Sequence, residues 1–262
     1  INTKAVPSER ILDLSFSSGF NSETSLSDGL LYDGGDDDDL GYDDGTRDFP
    51  SFVQRAINGN QKLDRSNFKT YQLANAGREF VNSELWVIQE GDVPLDNSVS
   101  FTYGDELDID IERLLDDESA TIGVLLTAGV KSSWETQEGI RQTGDIQAQG
   151  DGTSIVIRGN DKTFKSTSNN VTSYLMAVAG IETDSAELKY TGMYIHKGTK
   201  EARTLQGYDT SDSGDVREDF TEFFERELIN HQLNYNYLFQ NDIQLDVRPV
   251  SYTHLRAHET IH

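Results

Sequence analysis

The chain has 262 residues, and its 46 Asp and Glu against 22 Lys and Arg give a formal net charge of −24 at pH 7. Such a charge repels nucleic-acid phosphates, so no nucleic-acid partner is expected. The absence of Cys excludes disulfides, thiolate metal sites and thiol nucleophiles. Hydrophobic residues make up 35%, the mean hydropathy is −0.58, and no run reaches the roughly 18 apolar residues of a membrane helix.

Seven segments show the alternation of apolar and polar side chains that is typical of β-strands. The cleanest is Ala120 to Trp134, where Ile122, Val124 and Leu126 share one face opposite small or polar residues. In chain order the predicted strands are Ile11 to Phe20, Val99 to Tyr103, Ala120 to Trp134, Val171 to Ile181, Leu188 to Tyr194, Ile229 to Phe239 and Ile243 to Val247.

The gaps between these segments alternate between long and short. They are roughly 78, 16, 36, 5, 30 and 3 residues long, a pattern typical of an outer-membrane β-barrel with long outer loops and short periplasmic turns. An acidic stretch, Leu107 to Glu118, extends the second strand towards such a turn at Asp116 and Asp117. The periodicity alone fits a soluble β-sandwich or solenoid equally well.

Two segments carry a family resemblance. The first joins Ile1 to Lys4, Pro7 and the first strand to the run from Gly34 through Leu40-Gly-Tyr-Asp-Asp-Gly-Thr-Arg47 to Pro50. It resembles the plug–barrel junction of TonB-dependent outer-membrane receptors, together with the leucine-glycine-aromatic-DDGTR signature that follows the first strand in one large group of them. The second, Leu205 to Leu228, resembles the third outer loop and sixth strand of the same group.

The resemblance implies an all-β fold, an incomplete antiparallel transmembrane β-barrel of about seven meander strands. We expect an open curved sheet with long extracellular loops. The chain then divides into the end of the plug–barrel junction (1–10), the first barrel strands (11–249) and a tail (250–262). We expect it to be a piece of such a receptor, without the plug, the TonB box and most of the roughly 22 strands.

The implied function is energised uptake of a scarce solute of the siderophore, cobalamin or oligosaccharide class across the bacterial outer membrane. The implied partners are that ligand, outer-membrane lipid and the TonB–ExbB–ExbD system, which acts through the plug and TonB box. Neither a cofactor nor catalysis is expected, because the sequence lacks the usual hydrolase, zinc-protease, P-loop and dinucleotide motifs. The alternatives are a passive outer-membrane porin or adhesin and a secreted soluble Ca-binding β-protein.

The sequence does not assign a ligand-binding role to any residue. For the family-motif loop a structural role is expected, with Gly45 supplying a turn and Arg47 pairing with a nearby carboxylate. The residues of this loop are Tyr42, Asp43, Asp44, Gly45, Thr46 and Arg47.

A dense acidic cluster precedes this motif, at a position where the related receptors more often have mixed polar and aromatic residues. Carboxylates at this density are weak candidates for a calcium site. A solvated acidic loop is the favoured interpretation, because the spacing lacks the alternating ligands, Gly and closing Glu of an EF-hand. The weak candidates are Asp36, Asp37, Asp38 and Asp39.

Val250 to Thr260 resembles the translation of a common sequencing adapter, so residues 250–262 are interpreted as a non-native tail. On a helix, His254, His258 and His262 would share one face as metal ligands, but this interpretation places them outside the native protein. His196 and His231 fall on predicted strands, where they are expected at the surface or in the lumen.

Overall fold

The computed structural model describes residues 9–79, 83–110, 119–148, 150, 154–212, 214–239 and 243–261. The strands are β1 (Ile11–Gly19), β2 (Asp28–Leu31), β3 (Gln89–Asp92), β4 (Asp96–Asp110), β5 (Ser119–Ala148), β6 (Ser154–Thr183), β7 (Ala186–Asp209), β8 (Gly214–Leu238), β9 (Gln244–Val247) and β10 (Val250–Ile261). The helices are α1 (Ser51–Asn58), α2 (Thr70–Glu79) and α3 (Ser83–Trp86), with a 3-10 helix at Asp38–Leu40. Within these ranges no helix is both long and apolar enough to span a membrane.

The main sheet is a long antiparallel meander in the order β1-β4-β5-β6-β7-β8-β10, with β9 also paired to β8. All seven segments predicted from the alternation are strands of this sheet, so the prediction of an antiparallel meander is confirmed. The predicted open sheet is confirmed too, because β1 and β10 end the strand order without pairing to each other.

The register of the sheet follows the hydrophobic alternation. One line of directly opposed residues consists of Leu14, Phe101, Ala128, Leu175, Tyr194 and Ile229. A slip of one residue between any two strands would bring a polar neighbour such as Ser15 into this line and turn its apolar partners to the other face. The pattern in the sequence therefore excludes registers shifted by an odd number of residues.

The strands β5 to β8 are much longer than their apolar cores. The predicted loops of about 36 and 30 residues between these strands are wrong, because pairing continues from Trp134 to Ala148 and from His196 to Asp209. Both faces of these extensions are largely polar, so the alternation gave no signal there. Backbone pairing and contacts such as Thr136 Oγ1 to Thr167 Oγ1, at 3.2 Å, stabilise them instead.

The short connections agree better with the sequence. Between β6 and β7 the predicted short turn is confirmed, and the Ala186 amide donates to Thr183 Oγ1 at 3.1 Å. The acidic extension of the second predicted strand reaches Asp110, as expected. The predicted turn at Asp116 and Asp117 lies outside the described residues.

The described residues between β1 and β4, 20–79 and 83–95, form an insert that contains the β2–β3 ribbon and helices α1 to α3. The insert packs on one face of the sheet, on the extended parts of β5 to β8. Its amide at Leu30 donates to Thr167 Oγ1 at 2.9 Å, and Thr221 Oγ1 donates to the carbonyl of Leu85 at 2.8 Å. Leu30 and Tyr32 are buried against Ala202. The sequence predicted this segment only as a long loop.

Residues from Val250 onwards form β10, which continues the line of β9 along the edge of β8. His254 therefore lies on a strand and not on a helix, while the side chain of His258 and all of His262 lie outside the described part. The interpretation of 250–262 as a non-native tail stays a prediction.

The pairing of β1 with β4 can be tested by a disulfide, because the chain has no Cys of its own. Ser17 Oγ and Ser98 Oγ lie 2.7 Å apart across this pair. The variant S17C/S98C should oxidise to a disulfide in the folded chain. The control F16C/S98C puts the two thiols on opposite faces and should stay reduced. Equal oxidation of both variants, measured by mass spectrometry after alkylation, would contradict the register.

Candidate functional site

One face of the sheet carries a continuous apolar surface, here called the apolar band. Its side chains are exposed or half-buried: Leu12 is 74% and Phe16 76% exposed on β1, and Leu126 in the middle of the sheet is 38% exposed. Apolar patches of this extent mark a surface that meets lipid or another protein. The band consists of Leu12, Leu14, Phe16, Val99, Phe101, Tyr103, Leu107, Ile122, Val124, Leu126, Ala128, Val130, Leu175, Ala177, Ala179, Ile181, Leu188, Tyr190, Ile229, Leu233, Tyr235 and Tyr237.

Two polar groups interrupt the apolar band, and each has a partner. The Asp105 carboxylate accepts from Tyr103 OH at 3.1 Å and lies 3.6 Å from Arg10 Nε. Tyr190 OH lies 2.7 Å from His231 Nδ1. His231 is exposed at this surface, as predicted from the sequence.

The opposite face of the sheet is polar along most of its length. Hydroxyl pairs link neighbouring strands, for example Thr102 Oγ1 and Thr127 Oγ1 at 3.3 Å. Leu125 and Val178 lie directly opposite each other on this face and are buried. The sheet thus has one apolar face and one mainly polar face.

A buried ionic cluster fixes the motif loop to the sheet. Arg47 donates two hydrogen bonds to Asp38, at 2.7 and 2.6 Å, and a third to Asp43 at 3.0 Å. Lys200 on β7 lies 2.8 Å from Asp38 and donates to the carbonyl of Asp33 at 2.6 Å. The predicted pairing of Arg47 with a nearby carboxylate is confirmed. Lys200, the basic residue through which β7 binds the loop, was not predicted from the sequence as a partner of the loop.

Aromatic rings enclose this cluster, here called the Arg47 cluster. The Arg47 guanidinium lies 4.1 Å from the Phe223 ring centroid, and Lys200 Nζ lies 4.6 Å from that of Tyr32. Burial lowers the pKa of Arg47, but the contributions of Asp38 and Tyr32 together outweigh burial and raise this pKa. Burial also raises the pKa of Tyr32 to about 12, so its hydroxyl stays protonated and donates to the carbonyl of Glu222.

The turn of the motif loop is built by Asp44 and Gly45. Gly45 has a φ of +86°, a conformation that L-residues rarely adopt, so the predicted turn is confirmed. The Asp44 carboxylate accepts from the amides of Thr46 at 2.9 Å and Asp36 at 2.8 Å. Its hydrogen bonds with Thr46, followed by that with the Asp36 amide, lower the pKa of Asp44 to about 2.

Tyr42 and His196 stack beneath the loop, with ring centroids 3.8 Å apart. His196 is buried, and its Nε2 lies 2.7 Å from the carbonyl of Gly41. The expectation of a surface or lumen position for His196 is therefore wrong. The backbones also meet here, because a Cβ on Gly198 would collide with Gly41. His196 is buried because the backbones of the loop and of β7 come into contact here. The alternation of apolar and polar residues in the sequence does not reveal such a contact.

The two segments that carry the family resemblance contact each other. Glu225 Oε1 on β8 accepts from the Asp43 amide at 2.9 Å and lies 3.3 Å from His196 Nε2. Tyr42 OH lies 3.1 Å from Tyr194 OH, which donates to Glu227 at 3.2 Å. Residues about 180 positions apart in the sequence thus form one interface, with Asp43 separated from Glu225 by 182 positions.

The calcium candidates do not converge on one point. Asp38 is buried with both carboxylate oxygens bonded to Arg47, whereas Asp36, Asp37 and Asp39 are exposed. In the described part of the chain no group of three or more His, Cys, Asp or Glu side chains is arranged to hold a metal ion. The positive charges of Arg47 and Lys200 stand where a cation would otherwise neutralise Asp38.

A cavity of about 540 Å³ lies between the insert and the extended strands. Leu30 and Glu90 of the β2–β3 ribbon line one side, and Ile140, Thr163 and Arg217 line the sheet side. Lys165 in its lining pairs with Glu138 at 3.0 Å, and Arg217 pairs with Asp219 at 3.1 Å. Comparison with known proteins adds no relative: no protein-family model, no curated protein and no solved structure matches this chain.

The Arg47 cluster predicts a large cost for removing its central carboxylate. Asp38→Asn removes the carboxylate of Lys200 and leaves the buried Arg47 with Asp43 alone, and should destabilise the fold by about 3–5 kcal/mol. The control Asp39→Asn changes an exposed neighbour and should cost less than about 0.5 kcal/mol. Urea unfolding in a Trp134→Phe background, where the fluorescence comes from Trp86 in the insert, measures both. Equal midpoints for the two variants would contradict a central role for Asp38.

The lowered pKa of Asp44 predicts how the motif loop responds to acid. A carboxyl whose folded pKa lies below the ordinary value of about 3.9 stabilises the fold fully above that value. This contribution is lost as the pH falls through about 2. Hydrogen-exchange protection of the Thr46 and Asp36 amides should therefore fall between about pH 4 and pH 2. In Asp44→Asn the same amides should show no such transition, and an identical acid profile in both proteins would contradict the assignment.

Proposed function

We propose that this chain forms part of the wall of a bacterial outer-membrane receptor of the TonB-dependent class, which takes up a scarce solute. The observation that carries the proposal is the apolar band. Its side chains alternate with mainly polar ones along the strands other than β6, and the inner strands of the sheet satisfy their backbone groups by pairing on both sides. In lipid every backbone polar group needs such an internal partner.

The dimensions of the apolar band support contact with lipid. From Ile122 to Val130 the band extends along β5 for eight residue steps, or about 26 Å at roughly 3.3 Å per residue. A transmembrane β-strand tilted by about 45° needs about 9–11 residues, and Ile122 to Val130 covers nine. Beyond Trp134 the strands continue with polar residues, and there the insert covers them. This end of the sheet is the extracellular side in the proposal.

The contact between the two motif segments supports the family assignment. The DDGTR loop and the segment around Glu225 and Glu227 were each recognised separately in the sequence, and they meet through Asp43 and Tyr194. In the proposed receptor this loop has a structural role and binds the extracellular parts of β7 and β8. Solute binding and energy transfer then require the plug, the later loops and the TonB–ExbB–ExbD system.

The lipid-facing assignment is tested by a pair of neighbouring substitutions. Leu126→Lys places a charge in the apolar band and should lower the stability in lipid by about 2–4 kcal/mol. Thr127→Lys places the same charge on the polar face and should cost much less. The measurement is the folding of each chain from urea into phospholipid vesicles, followed by the shift of the folded band in unheated electrophoresis samples.

The alternatives lead to other outcomes of the same experiment. A soluble β-protein should fold in buffer without vesicles and leave the membrane fraction. Thr127→Lys would then be no milder than Leu126→Lys. A passive porin or adhesin shares the lipid-facing band, and only the absence of TonB dependence in the intact protein distinguishes it.

A further inference from the structure

A buried lysine lies between two carboxylates on the polar face of the sheet, beyond the apolar band. Lys162 Nζ on β6 lies 2.5 Å from Asp209 Oδ2 at the end of β7, and it donates to Glu218 Oε1 on β8 at 2.8 Å. The side chains of Lys162 and Asp209 are only 6% and 10% exposed. Three neighbouring strands thus bring an amine and two carboxyl groups together at a point with little access to water.

The backbone of β7 leaves room for this contact. Gly207 lies directly opposite Lys162 and has a φ of +146°, which L-residues rarely adopt. A Cβ at this position would lie 2.9 Å from the Lys162 Cα and would collide with the carbonyl oxygen of Asp161. Because Gly207 carries no side chain, the lysine side chain crosses β7 and reaches both Asp209 and Glu218.

The two oxygens of the Asp209 carboxylate have different partners. Oδ2 faces the Lys162 amine, whereas Oδ1 accepts a hydrogen bond from the Ser211 amide at 2.8 Å. A backbone amide in this position stabilises negative charge on Oδ1, as the donors of an oxyanion hole do. The arrangement combines a nucleophile, a carboxyl carbon with one stabilised oxygen, and a proton acceptor in Glu218.

Two other lysine–carboxylate pairs of the described residues lack this combination. Lys165 and Glu138 lie 3.0 Å apart at the surface, where Glu138 is 64% exposed. Lys200 lies 2.8 Å from Asp38, but both oxygens of Asp38 already accept hydrogen bonds from Arg47. The first pair is open to water, and the second has its carboxylate held by a guanidinium.

We propose that Lys162 and Asp209 join in an isopeptide bond, with Glu218 as the group that transfers protons. The ammonium gives one proton to Asp209 Oδ2, and the neutral Nζ attacks Cγ. Negative charge collects on Oδ1 beside the Ser211 amide, while Glu218 takes a second proton from Nζ. The Cγ–Oδ2 bond then breaks, and Oδ2 leaves as water with the proton that Glu218 returns. The third proton stays on the amide nitrogen, so the reaction needs no other reactant.

The starting point of this reaction is an ion pair. Hydrogen bonds with Asp209 and Glu218 raise the pKa of Lys162, and the hydrogen bond with Lys162 lowers the pKa of Asp209. The first proton transfer therefore makes the reaction slow. Strand pairing favours it, because groups held in contact react as if at a very high local concentration. The product also removes two charges from a site where their desolvation is costly.

The isopeptide bond would fasten β6 to the end of β7 in a chain that has no Cys for a disulfide. The inference goes beyond the proposed function and does not depend on it, because the three residues belong to the sheet whether or not the sheet meets lipid.

The first test is the intact mass of the full chain by mass spectrometry. The chain unfolded in urea should have the mass of its sequence. After a week at neutral pH in the β-fold, shown by circular dichroism in vesicles or in buffer, it should be lighter by one water molecule. Tandem mass spectrometry of a digest should show the peptides of Lys162 and Asp209 joined. A folded chain that keeps its full mass would overturn the proposal.

The second test distinguishes the isopeptide bond from other losses of water. K162R keeps the positive charge but has no nucleophilic amine, so it should keep its full mass. The control K165R makes the same change at the exposed pair and should lose water as the unmodified chain does. A loss of water that persists in K162R would come from another reaction, such as cyclisation at Asp28-Gly29, and would overturn the proposal.

The role of Glu218 is tested by the rate at which the lighter form appears. E218Q should slow this rate at least about tenfold, because it removes the proton acceptor. E218D keeps a carboxylate and should react faster than E218Q, and the control E138Q should react at the unmodified rate. Equal rates in E218Q and the unmodified chain would overturn the role of Glu218.

If a variant does not fold, the joined peptides in the digest of the unmodified chain decide the matter alone. Folding into vesicles is measured separately by electrophoresis, so failure of the membrane assignment and failure of the isopeptide bond give different results.

Discussion

The antiparallel pairing of β1 and β4 to β8 in a single register is the constraint on which the other features depend. It aligns alternate residues of six strands, so that side chains from Leu12 to Tyr237 join in one apolar surface while hydroxyls and charges collect on the other face. The same register sets like charges opposite one another at Lys197 and Arg226. The apolar band, which supports the proposed contact with lipid, is a consequence of this one alignment.

The Arg47 cluster determines the position of the motif loop on the sheet. A buried ion pair contributes little net stability by itself, because desolvation opposes the Coulomb attraction, but the loss of one partner is costly. Asp38 is shared between Arg47 of the insert and Lys200 of β7, so the pair specifies where the loop sits on the sheet. Stacking of Tyr42 on His196 and the Asp43–Glu225 hydrogen bond extend this contact. The loop is therefore located by its polar groups.

The sequence predicted the strands in which the alternation of apolar and polar residues follows the two faces of the sheet. Ile122 to Val130 alternate clearly, and their strand was found at its place in the meander. The extension around Thr136 was missed because polar residues occupy both faces, so that only backbone pairing distinguishes strand from loop. Arg47 and Gly45 were predicted from local chemistry, whereas Lys200 and His196 acquire their roles only from partners more than 150 positions away. A pattern of neighbouring residues does not show which distant residues will be in contact.

The attachment of the insert has a kinetic consequence. Residues 20–95 leave the ribosome before the strands they pack on, since Leu30 bonds to Thr167 and Asp43 to Glu225. The insert must close loops of more than a hundred residues before its polar groups find partners, and such non-local closure slows folding. Until β6 to β8 have paired, the acidic stretch at Asp36 to Asp39 remains hydrated and mutually repelled. That repulsion keeps the nascent segment extended and disfavours premature collapse onto the apolar strands.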